Sequence, residues 1–203
     1  MALPNKFIQR RIAASNQIEA HNRNLSQSEQ DRNRYNNARR IAQENRKKVI
    51  AGTIQEVSVL NSEVLLAAPA HFFDKVQEVA MRLTAIIQNN LSNSDKAALI
   101  AQLKNNPTDV SLREDAFRAI NTEYLKYDSE TMDMDYKSLD ELERIFVLAM
   151  TFNEICGLGP LEPLYRDTRI KEIMCNGPFD INVELDGLYT VDSCKFVSAD
   201  HLQ

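Results

Sequence analysis

Residues 181–192 read Ile-Asn-Val-Glu-Leu-Asp-Gly-Leu-Tyr-Thr-Val-Asp, and this stretch decides the fold class. Apolar and polar residues alternate on both sides of Asp186-Gly187, which is the period of a half-buried β-strand. Asp-Gly between two such runs is typical of a two-residue type I′ hairpin turn, whose central residues need positive φ. This closure would pair Leu185 with Leu188 and Val183 with Thr190 on one face. The sequence therefore predicts an antiparallel β-hairpin.

Two short segments extend this β-rich region. Residues 170–175 are predicted as a strand that ends at a strong turn signal, Asn176-Gly177-Pro178. Residues 195–197 can add another strand, and Ser198 is suited to cap a helix that begins at the next residue. Because a folded chain rarely stops one turn into a capped helix, we expect more protein to follow residue 203.

Upstream of residue 157 the hydrophobic period is that of helices. In residues 71–156 apolar side chains recur every three or four positions, which predicts a small helical bundle. The stretches Ser111-Leu-Arg-Glu114 and Ser138-Leu-Asp-Glu141 have capping-box spacing and predict two helix starts. Gly157 is suited to end the last helix, and the acidic residues 127–140 are predicted as a loop.

Together these patterns predict an α+β fold in three parts. Residues 1–70 form a basic, partly flexible N-terminal extension, and residues 71–156 form the helical bundle. Residues 157–203 are the start of a small mixed α/β domain, incomplete at its C-terminus, with a β-hairpin at Asp186-Gly187.

The charge is unevenly distributed along the chain. The 203 residues have a net charge of −5, whereas residues 1–50 hold eleven basic and four acidic side chains. Because residues 20–40 offer little to bury, we expect most of this segment to be flexible or transiently helical. Three interpretations stay open for it: a solvated tether, a segment that binds an anionic membrane surface, and a nucleic-acid arm. The last is unlikely by sequence, because no nucleic-acid-binding signature accompanies the basic residues.

Composition and motifs exclude several classes of protein. No uninterrupted apolar run of about 18 residues predicts a membrane-spanning helix, and no signal peptide is recognisable. The three cysteines, Cys156, Cys175 and Cys194, are an odd number without a CxxC pair, so we expect reduced thiols rather than disulfides or a zinc site. These features indicate a cytoplasmic protein with no metal and no cofactor of its own.

The search for catalytic residues is negative. None of the five glycines is followed by lysine, so the chain contains no Walker A loop. Gly157-Leu-Gly159 is not a dinucleotide fingerprint, because Glu162 stands where the third glycine would be. We assign no catalytic, nucleotide-binding or metal-binding residue, and whether the whole protein is an enzyme stays open.

One resemblance stands out. Gly157-Leu-Gly-Pro-Leu-Glu-Pro-Leu164, followed by Ile173-Met-Cys-Asn-Gly177, resembles the N-terminal domain of CpaF/TadA-type secretion ATPases, the motors of Flp/Tad pilus assembly. The resemblance covers about residues 139–203 and departs from the family pattern at Cys175, usually Val, and Glu172, usually Asp. The family-motif residues, whose expected role is structural, are Gly157, Leu158, Gly159, Pro160, Leu161, Pro163, Leu164, Asn176, Gly177 and Gly187.

The resemblance implies a function for the complete protein. It would be a hexameric motor of type II/IV secretion systems, cytoplasmic and peripheral to the inner membrane, which binds a platform protein there. ATP and Mg²⁺ would bind to a RecA-like half that residues 1–203 do not contain. This chain would be the non-catalytic N-terminal portion, serving in subunit and platform contacts and in coupling to the ATPase half. Two alternatives stay open: a truncated paralogue that acts alone as an interaction module, and a nucleic-acid-binding protein.

Overall fold

The computed structural model describes residues 27–94 and 96–202. The α-helices of these residues are α1 (Gln27–Arg46), α2 (Ser62–Ala67), α3 (Asp74–Ser92), α4 (Ala97–Asn105), α5 (Val110–Glu130), α6 (Met134–Lys137), α7 (Glu141–Cys156), α8 (Glu162–Tyr165) and α9 (Ala199–Leu202). Two 3₁₀ turns span Ile54–Val59 and Gly159–Leu161. The strands are β1 (Glu172–Gly177), β2 (Asp180–Glu184) and β3 (Leu188–Thr190), which pair in the antiparallel order β1-β2-β3.

The predicted α+β fold, with a helical N-terminal part and a β-hairpin, is confirmed. Helix α7 is the central element: most of its residues are buried, and it packs against α3 and the first 3₁₀ turn. Aromatic rings meet around it, with Phe146 on Phe73 at 5.3 Å and Phe152 on Phe117 at 6.0 Å between centroids. The buried apolar side chains of the helices and of the sheet form one cluster, from Ala38 to Phe196.

Helix α1 corrects, for residues 27–46, the prediction that most of residues 1–50 is flexible or only transiently helical. From residue 27 onward this segment is helical, and Ala38 and Ala42 are completely buried in the core. Ion pairs fasten its polar face to the rest of the chain: Arg34 donates to Asp192 at 2.7 Å and Arg39 donates to Asp140 at 2.5 Å. The prediction failed because the helix is seated by few apolar groups, the two alanines with Ile41 and the ring of Tyr35 on Phe72, and so small a set makes a weak apolar pattern. Residues 1–26 of the predicted extension lie outside the described residues.

Both helices that the capping boxes predict begin two residues away from the predicted start, α5 earlier and α7 later. Helix α5 begins after Asp109, whose carboxylate accepts from the Leu112 N–H at 3.0 Å. Helix α7 begins after Asp140, which exchanges reciprocal hydrogen bonds with Glu143 at 2.8 and 3.0 Å. In each case an aspartate two residues from the predicted serine caps the helix, and its negative charge favours the helix N-terminus.

The acidic residues 127–140 are largely helical, which corrects the predicted loop. Helix α5 continues to Glu130, and α6 follows after three residues. Arg82 from α3 bonds to the carboxylates of Asp133 and Asp135 at 3.0 and 3.1 Å. This ionic contact with a distant helix offsets the repulsion among the acidic side chains of the segment.

The β-hairpin differs from the prediction by one residue in register. Its loop has three residues, 185–187, and the pairs are Glu184 with Leu188, Val183 with Tyr189 and Asn182 with Thr190. Gly187 does not have a positive φ, so the type I′ turn is wrong. In the observed register Tyr189, rather than Thr190, shares the face of the completely buried Val183, and the Thr190 hydroxyl donates to the Asn182 side chain at 2.8 Å.

The flanking predictions have mixed outcomes. The turn after Asn176-Gly177 is confirmed, because β1 ends at Gly177 and β2 begins at Asp180. The strand predicted at 195–197 is wrong: this segment is irregular, and the Phe196 N–H donates to the Pro178 carbonyl at 2.8 Å. Ser198 does cap α9, since its hydroxyl accepts from the His201 N–H at 3.2 Å.

No single helix of the described residues is long and apolar enough to cross a membrane. Helix α7 and the segment Gly159–Tyr165 are long and apolar enough only when they are taken together, and they are bent by 114° relative to each other.

Candidate functional site

Residues 157–164 of the family motif form the turn between helix α7 and the segment that leads to the sheet. Gly157 ends α7 as predicted, and Gly159 adopts φ +56 at the start of the second 3₁₀ turn. Pro160 follows in that turn, and Leu164 in α8 is completely buried. Leu161 and Pro163 lie between them, whereas Leu158 is half exposed. We call residues 157–164 the joint segment.

Gly157 is required by a close approach rather than by a left-handed backbone. A Cβ atom at this position would lie 2.6 Å from the carboxyl group of Glu162 and 3.0 Å from the Asn153 carbonyl oxygen. The Leu158 N–H donates to the Glu162 carboxylate at 3.1 Å. The joint segment therefore folds back on itself so that a glutamate side chain closes over the end of α7.

Glu162 is the centre of a buried ionic cluster. Only 4% of this residue is exposed, and its carboxylate accepts from the Arg166 Nε at 2.6 Å and from Arg113 at 3.2 Å. Arg113 reaches it from α5 and stacks on the ring of Phe152 at 5.2 Å. Two guanidinium groups thus share one carboxylate. Burial, and then the nearby charge of Arg166, lower the pKa of Arg113.

The remaining motif residues do not converge with one another. Asn176 and Gly177 end β1 beside the turn into β2, whereas Gly187 lies in the loop at the other end of β2. A Cβ atom at Gly177 would meet nothing within 4 Å, and at Gly187 it would make ordinary contact with the Tyr189 ring at 3.7 Å. Neither glycine has a positive φ or a close contact that would require it, and we assign neither a binding role.

Beside the joint segment lies a cleft of about 550 Å³, which we call the polar cleft. Its walls come from the end of α1, the first 3₁₀ turn, α2, α5, α7 and the residues after α8. The charged residues that line it are Lys48, Glu63, Arg113, Glu162, Arg166, Asp167 and Arg169. Asn45 Nδ2 and Asn153 Oδ1, whose residues also line it, are buried and have no hydrogen-bond partner among the described residues.

The cysteines show no catalytic arrangement. Burial raises the pKa of the Cys156 and Cys194 thiols to about 12, so both are protonated at neutral pH and poor nucleophiles. The Cys194 thiol donates to the Pro160 carbonyl at 3.2 Å, which ties the segment after β3 to the joint segment. Cys175 is exposed on the sheet. Within residues 27–94 and 96–202, no group of three His, Cys, Asp or Glu side chains could hold a metal ion.

His201 has a structural partner. Its Nε2 lies 2.8 Å from the Glu154 carboxylate, which joins α9 to α7 next to Gly159. The ring of Phe196 packs edge-on against it, with 5.1 Å between centroids. This histidine therefore fastens the last described helix to the central helix.

Sequence reasoning missed the residues that complete the cluster. Glu162 and Arg166 have the i, i+4 spacing of an ion pair, so that part could have been found from the sequence. Arg113 lies 49 positions before Glu162, and no local pattern connects the two. Asn153 shows no signal either, because a single asparagine in an apolar helix predicts nothing about its neighbours.

The fold and the site define a helical α+β protein whose central helix is followed by the joint segment, which carries the buried ionic cluster at Glu162 and leads to the sheet. Comparisons with known protein families, with curated proteins and with solved structures found no match.

Proposed function

We propose that residues 1–203 are the N-terminal, non-catalytic portion of a CpaF/TadA-type secretion ATPase. The observation that supports this most directly is the joint segment, which carries the family-like motif. It forms a turn closed by Glu162 between the central helix and the sheet, and its residues act in packing and chain direction rather than in chemistry.

A segment of this kind suits the transmission of movement. Close-packed interiors transmit strain because they have little free volume. Here Arg113 ties the joint segment to α5 through Glu162, and Cys194 ties the residues after β3 to the joint segment at Pro160. His201 ties α9 directly to helix α7 at Glu154. A displacement of the sheet by an attached ATPase half would therefore reach the helical part.

The proposal extends to partners and location. The complete protein would assemble as a hexamer on the cytoplasmic side of the inner membrane and contact a platform protein of the pilus or secretion system. ATP and Mg²⁺ would bind in the RecA-like half, and this chain would contribute contacts and coupling.

The coding sequence downstream of codon 203 is the first test. An in-frame continuation that reaches a GxxxxGK[ST] motif is expected, because a RecA-like half needs that phosphate-binding loop. A stop codon directly after codon 203 would contradict the motor proposal and favour a stand-alone interaction module.

Residues 1–203 by themselves should not hydrolyse ATP. Phosphoryl transfer requires a phosphate-binding lysine, Mg²⁺ ligands and a group that orients the attacking water, and the sequence has no Walker A loop to supply the first of these. The measurement is Mg²⁺-dependent phosphate release by the purified chain against a mock purification. Phosphate release that co-purifies with the protein through two chromatographic steps would refute the prediction.

Binding of the chain to an anionic membrane should depend on residues 1–26. Four of the seven basic residues between 27 and 50 are engaged in ion pairs within the chain, namely Arg34, Arg39, Arg40 and Arg46. We expect the full chain to co-sediment with anionic vesicles in low salt and a chain that starts at Gln27 to stay in solution. Equal sedimentation of both would contradict this, and tighter binding to duplex DNA than to vesicles would favour the nucleic-acid alternative.

A further inference from the structure

We propose that the polar cleft binds a small organic anion, a molecule with one phosphate or carboxylate group and neighbouring hydroxyl groups. This inference is independent of the proposed motor function, because it rests on the cleft beside the joint segment and not on the family resemblance.

The lining of the cleft has an excess of positive charge. Four cationic and three anionic side chains line it, and Arg113 and Arg166 share the single carboxylate of Glu162. Within the described part of the chain, Lys48 makes no ion pair. A partly buried site with a net positive charge is stabilised by an anion.

The carboxylates of the cleft already have partners. Asp167 accepts from the Ser62 hydroxyl at 2.5 Å and from Arg169 at 2.8 Å, and Arg169 also reaches Glu63 at 3.2 Å. The Arg169 contact holds the pKa of Asp167 well below its usual range, so this group stays ionised and paired. These pairs leave Lys48 and the second guanidinium at Glu162 as the positive charge that a ligand would meet.

Two buried polar atoms indicate that the ligand also carries hydroxyl groups. Only 3% of Asn153 is exposed, and in the part of the chain that the structure describes neither its side-chain oxygen nor the Nδ2 of Asn45 has a hydrogen-bond partner. Leaving such groups unpaired destabilises the protein, because each has lost its contact with water and gained no partner. A hydroxyl group both donates and accepts, so a hydroxylated ligand that reaches these side chains would pair both atoms where a simple anion would not.

The size and the apolar part of the lining agree with a small metabolite. The volume of about 550 Å³ lies within the usual range of ligand sites. The cleft also has an apolar wall, formed by Ile54, Val57 and Leu60. Ligand sites commonly combine such a wall with a few polar groups that orient the molecule.

Isothermal titration calorimetry on the full chain tests the proposal with three compounds. Ribose 5-phosphate and gluconate present a phosphate or a carboxylate with hydroxyl groups, and ribose is the neutral control. We expect at least one of the two anions to bind at millimolar concentration or below and ribose to give no signal. Binding of ribose 5-phosphate alone would identify the ligand group as a phosphate, and binding of gluconate alone would identify it as a carboxylate.

Lys48→Gln and Lys47→Gln form a matched pair of variants for the same titration. Both lysines are exposed neighbours after α1, but only Lys48 lines the cleft. Losing one charge-assisted contact should weaken anion binding about tenfold for Lys48→Gln, with little change for Lys47→Gln. The proposal is overturned if neither anion binds, if ribose binds as tightly as the anions, or if both variants weaken binding equally.

Discussion

Replacing Glu162 with alanine should lower the free energy of unfolding by about 3–5 kcal/mol, because removing one member of a buried ion pair leaves its partner charged and unpaired. In this protein the loss would strand Arg113, whose side chain is only 10% exposed, and the Leu158 N–H. Urea unfolding followed by circular dichroism measures the change.

Glu78→Ala is the matched control for this substitution. Glu78 pairs with Arg82 four residues later at 3.0 Å, which is the spacing of Glu162 and Arg166, but its side chain is 73% exposed against 5% for Glu162. An exposed pair of this kind contributes only about 0.3–0.5 kcal/mol. Similar losses for Glu78→Ala and Glu162→Ala would show that burial of the cluster does not stabilise the joint segment.

Replacing Gly159 with alanine should cost about 1–2 kcal/mol, which is the penalty for a residue with a Cβ atom in the left-handed region. Gly159 has φ +56, and a Cβ atom there would lie 3.0 to 3.3 Å from the Glu154 carboxylate. That carboxylate holds His201 at 2.8 Å, so a shift to relieve the contact would loosen α9. The same urea unfolding experiment measures the loss.

Gly187→Ala provides the comparison for Gly159→Ala. Gly187 does not have a positive φ, and the added methyl group would make only ordinary contact with Tyr189. We expect a change within about 0.5 kcal/mol, as for most surface substitutions. A loss as large as that of Gly159→Ala would mean that the hairpin has the type I′ turn predicted from Asp186-Gly187.

Local signals in the sequence predicted the elements that local physics controls. The period of two around residues 181–192, the turn after Asn176-Gly177 and the stop of α7 at Gly157 were all correct. Each depends on backbone preferences or on side-chain alternation within a few residues, which a single sequence displays directly. The α+β class followed from them.

Errors arose where contacts between distant residues decide the outcome. The register of the hairpin depends on which face of β3 meets Val183. The position of α1 depends on its packing against α2 and the first 3₁₀ turn, and on ion pairs with residues as distant as Asp140 and Asp192. The capping aspartates, Asp109 and Asp140, competed with nearby serines of similar propensity. Propensity alone does not choose between such neighbours.

The sequence by itself determined that the chain forms helices followed by a hairpin, and it contained the motif of residues 157–164. Only the tertiary structure brought Arg113 to Glu162 and formed the polar cleft between α1, α5 and the joint segment. The sequence does not reveal this site because the strength of a charged contact depends on its burial. Burial is produced by the packing of segments far apart in the sequence, which no local pattern records.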